Sequence, residues 1–332
     1  AVRALLSMGA KVDAYDKPIG RTPLIWAAAR NRIATMQVLV AAGAKLDKGS
    51  KGDRVPPLHA AIEGGHLEAV AWLLRRGAKP NMIEADGTTT MQAAQESAAA
   101  AELVPLLEAA GGRADAKKTL LKELKAKLKK EKRKAFLPSV ERAEGPAAGS
   151  RFGGYPSATG ARPEGPEGPL PLVVQVDLST HPDKKAAQEG LLQLFWDSSA
   201  RVGEARIVAG SGELDSRGPA FPALEIVAWG RVKSDFPSLG EDPARSAGVL
   251  SDDESAVLRD LNLGGDKLGG WPDWLQDPIY PSCPTCSGAM SQLVLQLEAG
   301  RHVAIDLGDA GVGYVVQCPA HRERVAFFSQ CY

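Results

Sequence analysis

Small and apolar residues return along the first third of the chain with a period of 34: Gly9-Ala10, Gly43-Ala44 and Gly77-Ala78, then Gly111. Ahead of each later glycine stand a Thr-Pro or Pro-Leu step, or a threonine pair, and two alanines. These are Thr22-Pro23-Leu24 with Ala27-Ala28, Pro57-Leu58-His59 with Ala60-Ala61, and Thr89-Thr90-Met91 with Ala93-Ala94. Such a unit predicts two short helices per repeat: threonine caps the first, proline is pre-set for its opening turn, and glycine ends the second in a left-handed conformation. Val38-Leu39 and Trp72-Leu73-Leu74 supply the stripe that neighbouring units bury. Three full repeats follow the tail of another, because the stretch from Ala1 to Asp13 reads as a second helix without its first. With no initiator methionine, the chain reads as a fragment or as numbered from a late start, and this open edge is expected to bare apolar surface. At the other end, Ala98-Ala99-Ala100-Ala101 and the drift from the repeat read as a cap.

The period then changes. Residues 117–134 carry ten Lys/Arg against two acids, and Leu121, Leu124 and Leu128 take the three-and-four spacing of an amphipathic helix. Without aromatic residues for stacking, that helix is expected to lay its leucines on the next domain rather than to act as a nucleic-acid or membrane arm. From Pro138 to Pro171, seven prolines and seven glycines predict loop. Beyond it the pattern alternates in short strand-like runs, and it repeats itself. Phe152-Gly153-Gly154-Tyr155-Pro156 is echoed 116 residues later by Leu268-Gly269-Gly270-Trp271-Pro272. Leu172–Asp177 parallels Leu293–Glu298, and Gly190–Trp196 is matched loosely by Gly313–Cys318. Between these halves, Arg206–Ala209 and Ala223–Trp229 read as strands, and Ser251 with Glu254 forms the capping-box signature of a helix reaching Leu261. The expected organisation is an all-α repeat solenoid over 1–112, a basic amphipathic helix over 113–137, and over 138–332 an α+β domain with antiparallel sheets and an internal pseudo-twofold duplication.

Composition narrows the function classes. Lys plus Arg equals Asp plus Glu at 40 each in 332 residues, so no global charge argues for nucleic acid or an anionic membrane. No run approaches eighteen uncharged apolar residues and no signal-peptide series opens the chain, which reads as soluble and cytoplasmic. The four cysteines all fall late, at 283, 286, 318 and 331, and without an export signal they read as thiols or metal ligands rather than disulfides. Cys283-Pro-Thr-Cys286 is answered by Cys318-Pro-Ala-His321, two knuckles each offering two ligands three residues apart. The 31 residues between them suffice for a hairpin that joins the knuckles, so Cys283, Cys286, Cys318 and His321 are expected to hold one structural zinc, with Cys331 as reserve ligand. Trp271, Trp274 and Tyr280 are candidates for a groove, or for core. No catalytic constellation stands out: Asp306, Asp309, Glu298 and His302 are near one another in sequence but read as turn and rim residues.

The TPL and PLH helices, the paired alanines and the 34-residue glycines resemble the ankyrin repeat. That resemblance implies protein binding through hairpin tips and first helices, here Ile19, Arg21, Arg30, Asp53, Val55, Glu63, Asp86, Thr88 and Glu96. It also implies that His59 and His66 make inter-repeat hydrogen bonds. The motifs SRFGGYP, VVQVDL, GLLQLFW, LGGWPDWLQDP, LVLQLEA and GDAGVGY, in that order, resemble the bacterial YwqG-like family, a domain of unknown function, over roughly residues 117–332. The GGxPxW element is similar, more distantly, to the programmed cell death protein 2 family, linked to escort of a ribosomal protein. Simple YwqG-like members lack the cysteine knuckles, which makes any metal an optional staple. Together these imply a protein-binding adaptor, in the form of an immunity protein against a polymorphic toxin or a client-escort protein, with a protein partner, no nucleic acid and no membrane. The alternative is a hydrolase or ligand-binding enzyme using a cleft between the two β halves.

Overall fold

The computed structural model describes residues 1–143, 149–157, 161–209, 213–217, 220–231, 234–238 and 250–332. These fall into two compact units. The first holds the repeats, built from α1 (Val2–Ser7), α2 (Pro23–Ala28), α3 (Ile33–Ala41), α4 (Pro57–Glu63), α5 (Leu67–Arg75), α6 (Thr90–Glu96) and α7 (Ala100–Ala109). Thr22 Oγ1 accepts the Ile25 N–H at 3.3 Å to start α2, and Thr89 with Gln92 closes a full capping box on α6. Gly9, Gly43, Gly77 and Gly111 end successive second helices at φ of +88, +91, +91 and +87, the left-handed turn in which a side chain is strained. Leu24, Met36, Leu58, Ile62, Leu73 and Leu103 run through one continuous core. His59 is fully buried and links to Glu84 and, at 2.6 Å, to Thr90 Oγ1 of the next repeat; His66 Nε2 lies 3.1 Å from the Ala29 carbonyl of the preceding one.

The array does not stop at its alanine-rich stretch. Helix α8 (Ala116–Lys127) and, from far later in the chain, α9 (Asp252–Leu258) belong to the same unit. The Ile83 N–H donates to Asp253 at 3.0 Å across 170 residues of sequence, and Lys127 Nζ sits 3.2 Å from Glu254. The capping box of Ser251 and Glu254 is formed, and Leu124 and Leu128 are fully buried while Leu121 is half-buried. Among the described residues no helix is long and apolar enough to cross a membrane.

The second unit is a nearly barrel-shaped antiparallel sheet of ten strands. In chain order its strands are β1 (Ala135–Arg142), β2 (Arg151–Phe152), β5 (Leu172–Asp177), β6 (Leu191–Asp197), β7 (Val202–Val208), β8 (Leu224–Arg231), β9 (Lys267–Gly269), β10 (Gln292–Glu298), β11 (Val312–Gln317) and β12 (Val325–Gln330). The short β3 (Glu164–Gly165) and β4 (Gly168–Pro169) pair separately, and the large sheet runs β12-β11-β10-β9-β1-β8-β2-β5-β6-β7. Phe136, Phe152, Val174, Leu194, Leu268 and Leu295 share its core. Strand β1 runs through Pro138, where the proline count predicts loop. The reason lies in the pairing: β9 pairs with β1 only at Ala135 and Phe136, so among the described residues no strand continues that flank and a proline there costs no ladder bond.

Two sets of hydrogen bonds recur at the double-glycine steps. Gln175 accepts the Ser157 N–H at 3.1 Å and donates to the Gly149 carbonyl at 3.3 Å; Gln296 accepts the Asp273 N–H at 2.8 Å and donates to the Gly265 carbonyl at 3.0 Å. Ser150 Oγ accepts the Asp177 N–H at 2.9 Å, and Asp266 Oδ1 accepts the Glu298 N–H at 2.6 Å. Across the next strand, Gln193 donates to the Ser157 carbonyl at 3.1 Å and the Tyr314 hydroxyl to the Asp273 carbonyl at 2.6 Å.

Candidate functional site

Each knuckle is a tight turn at the end of a strand pair. The first closes by hydrogen bonds from Ser287 N–H to the Cys283 carbonyl and from Cys283 N–H to the Gly288 carbonyl, each 2.8 Å, with Ser287 at φ +59. The second closes through Arg324 N–H to the His321 carbonyl at 2.9 Å, just where β11 turns into β12. Because β10 pairs with β11, the two turns meet, and one ligand atom from each of Cys283, Cys286, Cys318 and His321 lies within 4.8 Å of all the others. Cys283 Sγ is 3.8 Å from His321 Nδ1, Cys286 Sγ 3.7 Å from Cys318 Sγ, and Cys318 Sγ 3.7 Å from His321 Nδ1. Those edges match a tetrahedron of thiolates about 2.3 Å from a central ion, whose corners stand about 3.8 Å apart. The four residues can therefore hold a metal ion.

The surroundings favour thiolate at Cys283 and, outweighing the Gly288 N–H, burial and the neighbouring thiols of Cys318 and Cys283 disfavour it at Cys286. Burial of Cys283 works against its charge, but the N–H groups of Thr285 and Cys286 and the thiols of Cys318 and Cys286 outweigh it and bring the thiol down to about 6. Met290, Leu293, Val312, Tyr314 and Val316 pack beside Cys283 and Cys318, so the centre is continuous with a hydrophobic cluster. Cys331 stands apart. The strand carrying it does return beside β11, but antiparallel, so Val325 lies opposite Gln317 while Gln330 lies opposite Val312, and Cys331 ends against Gly308 at the far end.

The nine residues of the expected binding face separate by burial. Ile19, Arg30, Asp53, Glu63, Asp86 and Glu96 are exposed, and Arg21 and Thr88 are half-buried. Val55 differs: it is 6% exposed and packs on Ile25 and Ala60, because the hairpin folds it under the tip. Asp86 is turned back on Thr88, accepting its N–H at 2.8 Å and its hydroxyl at 3.0 Å. Burial and then the Glu84 carboxylate push the Glu63 carboxyl up. The most organised part of this face was not singled out from sequence. The Arg30 guanidinium lies 4.3 Å and that of Arg21 5.2 Å from the centre of the Trp26 ring, and Asp16 accepts the indole N–H at 2.8 Å and the Arg21 N–H at 2.9 Å. Although burial opposes it, these donors and Ile19 hold the Asp16 carboxyl below its usual range. Beside it, Lys48 lies 4.4 Å over the Tyr15 ring. A signal existed, since 34 residues after Trp26 the repeat has Ala60, so the bulk of Trp26 is not required by the repeat.

The groove candidates part company. Trp274 and Tyr280 share an aromatic cluster with Tyr314 and Phe328, whereas Trp271 is buried, donates to the Glu131 carbonyl at 2.7 Å and carries Arg133 3.4 Å above its ring. Of the catalytic candidates, Glu298, Asp306 and His302 have side-chain partners, whereas Asp309 is engaged through its backbone. Glu298 pairs with Arg301 at 2.8 Å, Asp306 accepts the Gly308 N–H at 2.8 Å, the Asp309 carbonyl accepts the Tyr332 N–H at 3.1 Å, and His302 is held by Asp266 and stacks 4.8 Å from Phe152.

Comparison with known proteins bears on the repeat part. A family model for ankyrin repeats matches residues 1–84 in three copies. Through these repeats the chain is similar to palmitoyltransferase ZDHHC17 of Rattus norvegicus, 36% identical over 85 residues, which cover 26% of this chain and 14% of that protein. It is likewise 37% identical over 68 residues to palmitoyltransferase ZDHHC13 of Mus musculus, covering 20% of this chain and 11% of the relative. The chain thus spans well under a fifth of the curated relatives it matches. Residues 1–84 carry ankyrin repeats, and such repeats mediate protein–protein interaction.

Proposed function

We propose that the chain is a cytoplasmic adaptor in which the ankyrin array selects a protein partner and the β unit, a YwqG-like domain, holds a second partner or another part of the same one. Immunity against a toxin and escort of a client are two forms of this reading; nucleic acid and membrane are not its targets. The observation that carries it is Trp26, flanked by two guanidinium groups and braced by Asp16. Tryptophan and arginine are the residues most enriched among binding hot spots, and here they are held in place before any partner arrives. The test is a Trp26→Ala, Arg30→Glu double variant. Its partner, captured from the native host with the wild-type chain and identified, should bind at least about 30-fold more weakly, the loss of a hot spot of about 2 kcal/mol, while the melting temperature holds. Unchanged affinity would reduce this face to scaffold.

The metal is read as zinc. Three thiolates and one imidazole in a closed tetrahedral set are the ligands zinc takes in structural sites, and with no position left open the ion staples rather than catalyses. The β unit is read as two copies of one element packed about a pseudo-twofold axis. Supporting this, Gly149, Ser150 and Ser157 and their counterparts Gly265, Asp266 and Asp273 make matching bonds, with Gln175 answering Gln296. The sheet order reads as five strands and five strands meeting at β1 and β8.

A further inference from the structure

In the β unit a cavity of about 640 Å³ opens where the loop between β5 and β6 faces the Gly269-Gly270 step and the start of β10. Its lining carries four cationic side chains, Lys132, Arg133, Lys134 and Lys185, against one carboxylate, Asp183, an excess of three positive charges. That carboxylate is engaged by Lys134 at 3.1 Å. Arg133 stacks on Trp271, and its backbone bonds with Asp235 at 3.0 and 3.1 Å, so its guanidinium is held in place beside the cavity.

His181 adds a polar ring. Its Nδ1 lies 2.9 Å from the Asp183 amide nitrogen and 3.2 Å from the Asp183 carbonyl oxygen, and a Cβ at Gly269 would come 4.0 Å from Nε2. Burial holds His181 below its usual value. The two glycines, at φ of +70 and +85, leave bare backbone on this wall, while Leu178, Leu293 and Val294 give an apolar side. The remaining wall is tied to the metal centre: Pro319 of the second knuckle lines the cavity, and Arg322, next to His321, donates to the carbonyls of Ala186 and Ala187 in the facing loop.

We propose that this cavity binds a soluble phosphate monoester of about mononucleotide size. The volume lies in the range of about 300–1,000 Å³ typical of small-molecule sites, and an excess of cationic residues around it suits a dianion. The apolar side would take the ester group. The inference is independent of the adaptor reading, since it uses no residue of the array.

The test is titration of the full, metal-loaded chain with adenosine monophosphate, glucose 6-phosphate and inorganic phosphate, by calorimetry and by NMR. Saturable binding of at least one monoester, one per chain and tighter than inorganic phosphate, is expected. It should weaken by about tenfold or more in Lys132→Glu/Lys185→Glu, the loss of two charge-assisted contacts, and in the milder Lys132→Gln/Lys185→Gln. Lys129→Glu/Lys130→Glu changes the same charge on exposed residues outside the lining and should leave binding intact. No saturable binding at about millimolar ligand overturns the proposal. So does equal loss in both charge-reversed pairs, which would mean diffuse attraction, or binding confined to anionic-lipid vesicles or phosphopeptides.

Discussion

Asn81 joins two repeats with one side chain: its amide donates to the Gly111 carbonyl at 2.9 Å and its oxygen accepts the Arg113 N–H at 2.8 Å. One repeat earlier Asp47 accepts the Lys79 N–H at 2.9 Å, and Asp13 reaches Lys45 at 3.4 Å. These positions are 34 apart and were legible in the period, but a lone acid or amide after the glycine turn looks like any loop residue until its acceptor is seen. Because the Asn81 bonds are exposed, Asn81→Ala should lower stability by about 1 kcal/mol, read from the urea midpoint. The buried glutamines are a sharper case. Gln175→Ala and Gln296→Ala each strand a backbone N–H and a carbonyl, so each should cost about 1–3 kcal/mol. If the β unit is a duplication, both losses should be seen, the larger at Gln175, which also accepts from Gln193 at 2.9 Å and donates to Ser157 Oγ at 3.2 Å; a loss at one and none at the other would break the equivalence.

At the scale of elements, α8 shows what periodicity reaches. Its leucine spacing announced a buried stripe, and Leu124 is fully covered, yet the helix packed with it is α9, which arrives over a hundred residues later. Leu124→Ala should destabilise the unit containing the array by about 2–5 kcal/mol, as truncation of a fully buried leucine does, and circular dichroism against urea would read it. A helix lying free would lose a few tenths at most. Strand β1 failed the same kind of reading for the opposite reason. Proline and glycine density is a local signal, and what makes Pro138 acceptable in a strand is where the pairing of β9 with β1 ends.

For the whole molecule, the four residues that could hold a metal ion lie entirely in the β unit, so effects of metal should be confined there. Metal analysis of chain made without a metal-binding tag should give a single zinc per chain. A strong chelator should lower the melting transition followed by Trp and Tyr signals of the β unit, while the far-ultraviolet transition of the helical array stays in place. Absence of metal, or a chelator that shifts nothing, would leave the cysteines as packing residues. The repeat was determined by sequence, because an ankyrin unit is stabilised by its caps, its left-handed glycine and contacts with neighbours 34 residues away. The four knuckle ligands were also legible, since each pair sits within one turn. Tertiary structure alone decided that Cys331 stands at the wrong end of an antiparallel strand, that Val55 is folded under, that α9 joins the array, and that Lys132, Lys185 and His181 face one cavity. Those outcomes depend on strand direction and on contacts between distant segments, which no local pattern encodes.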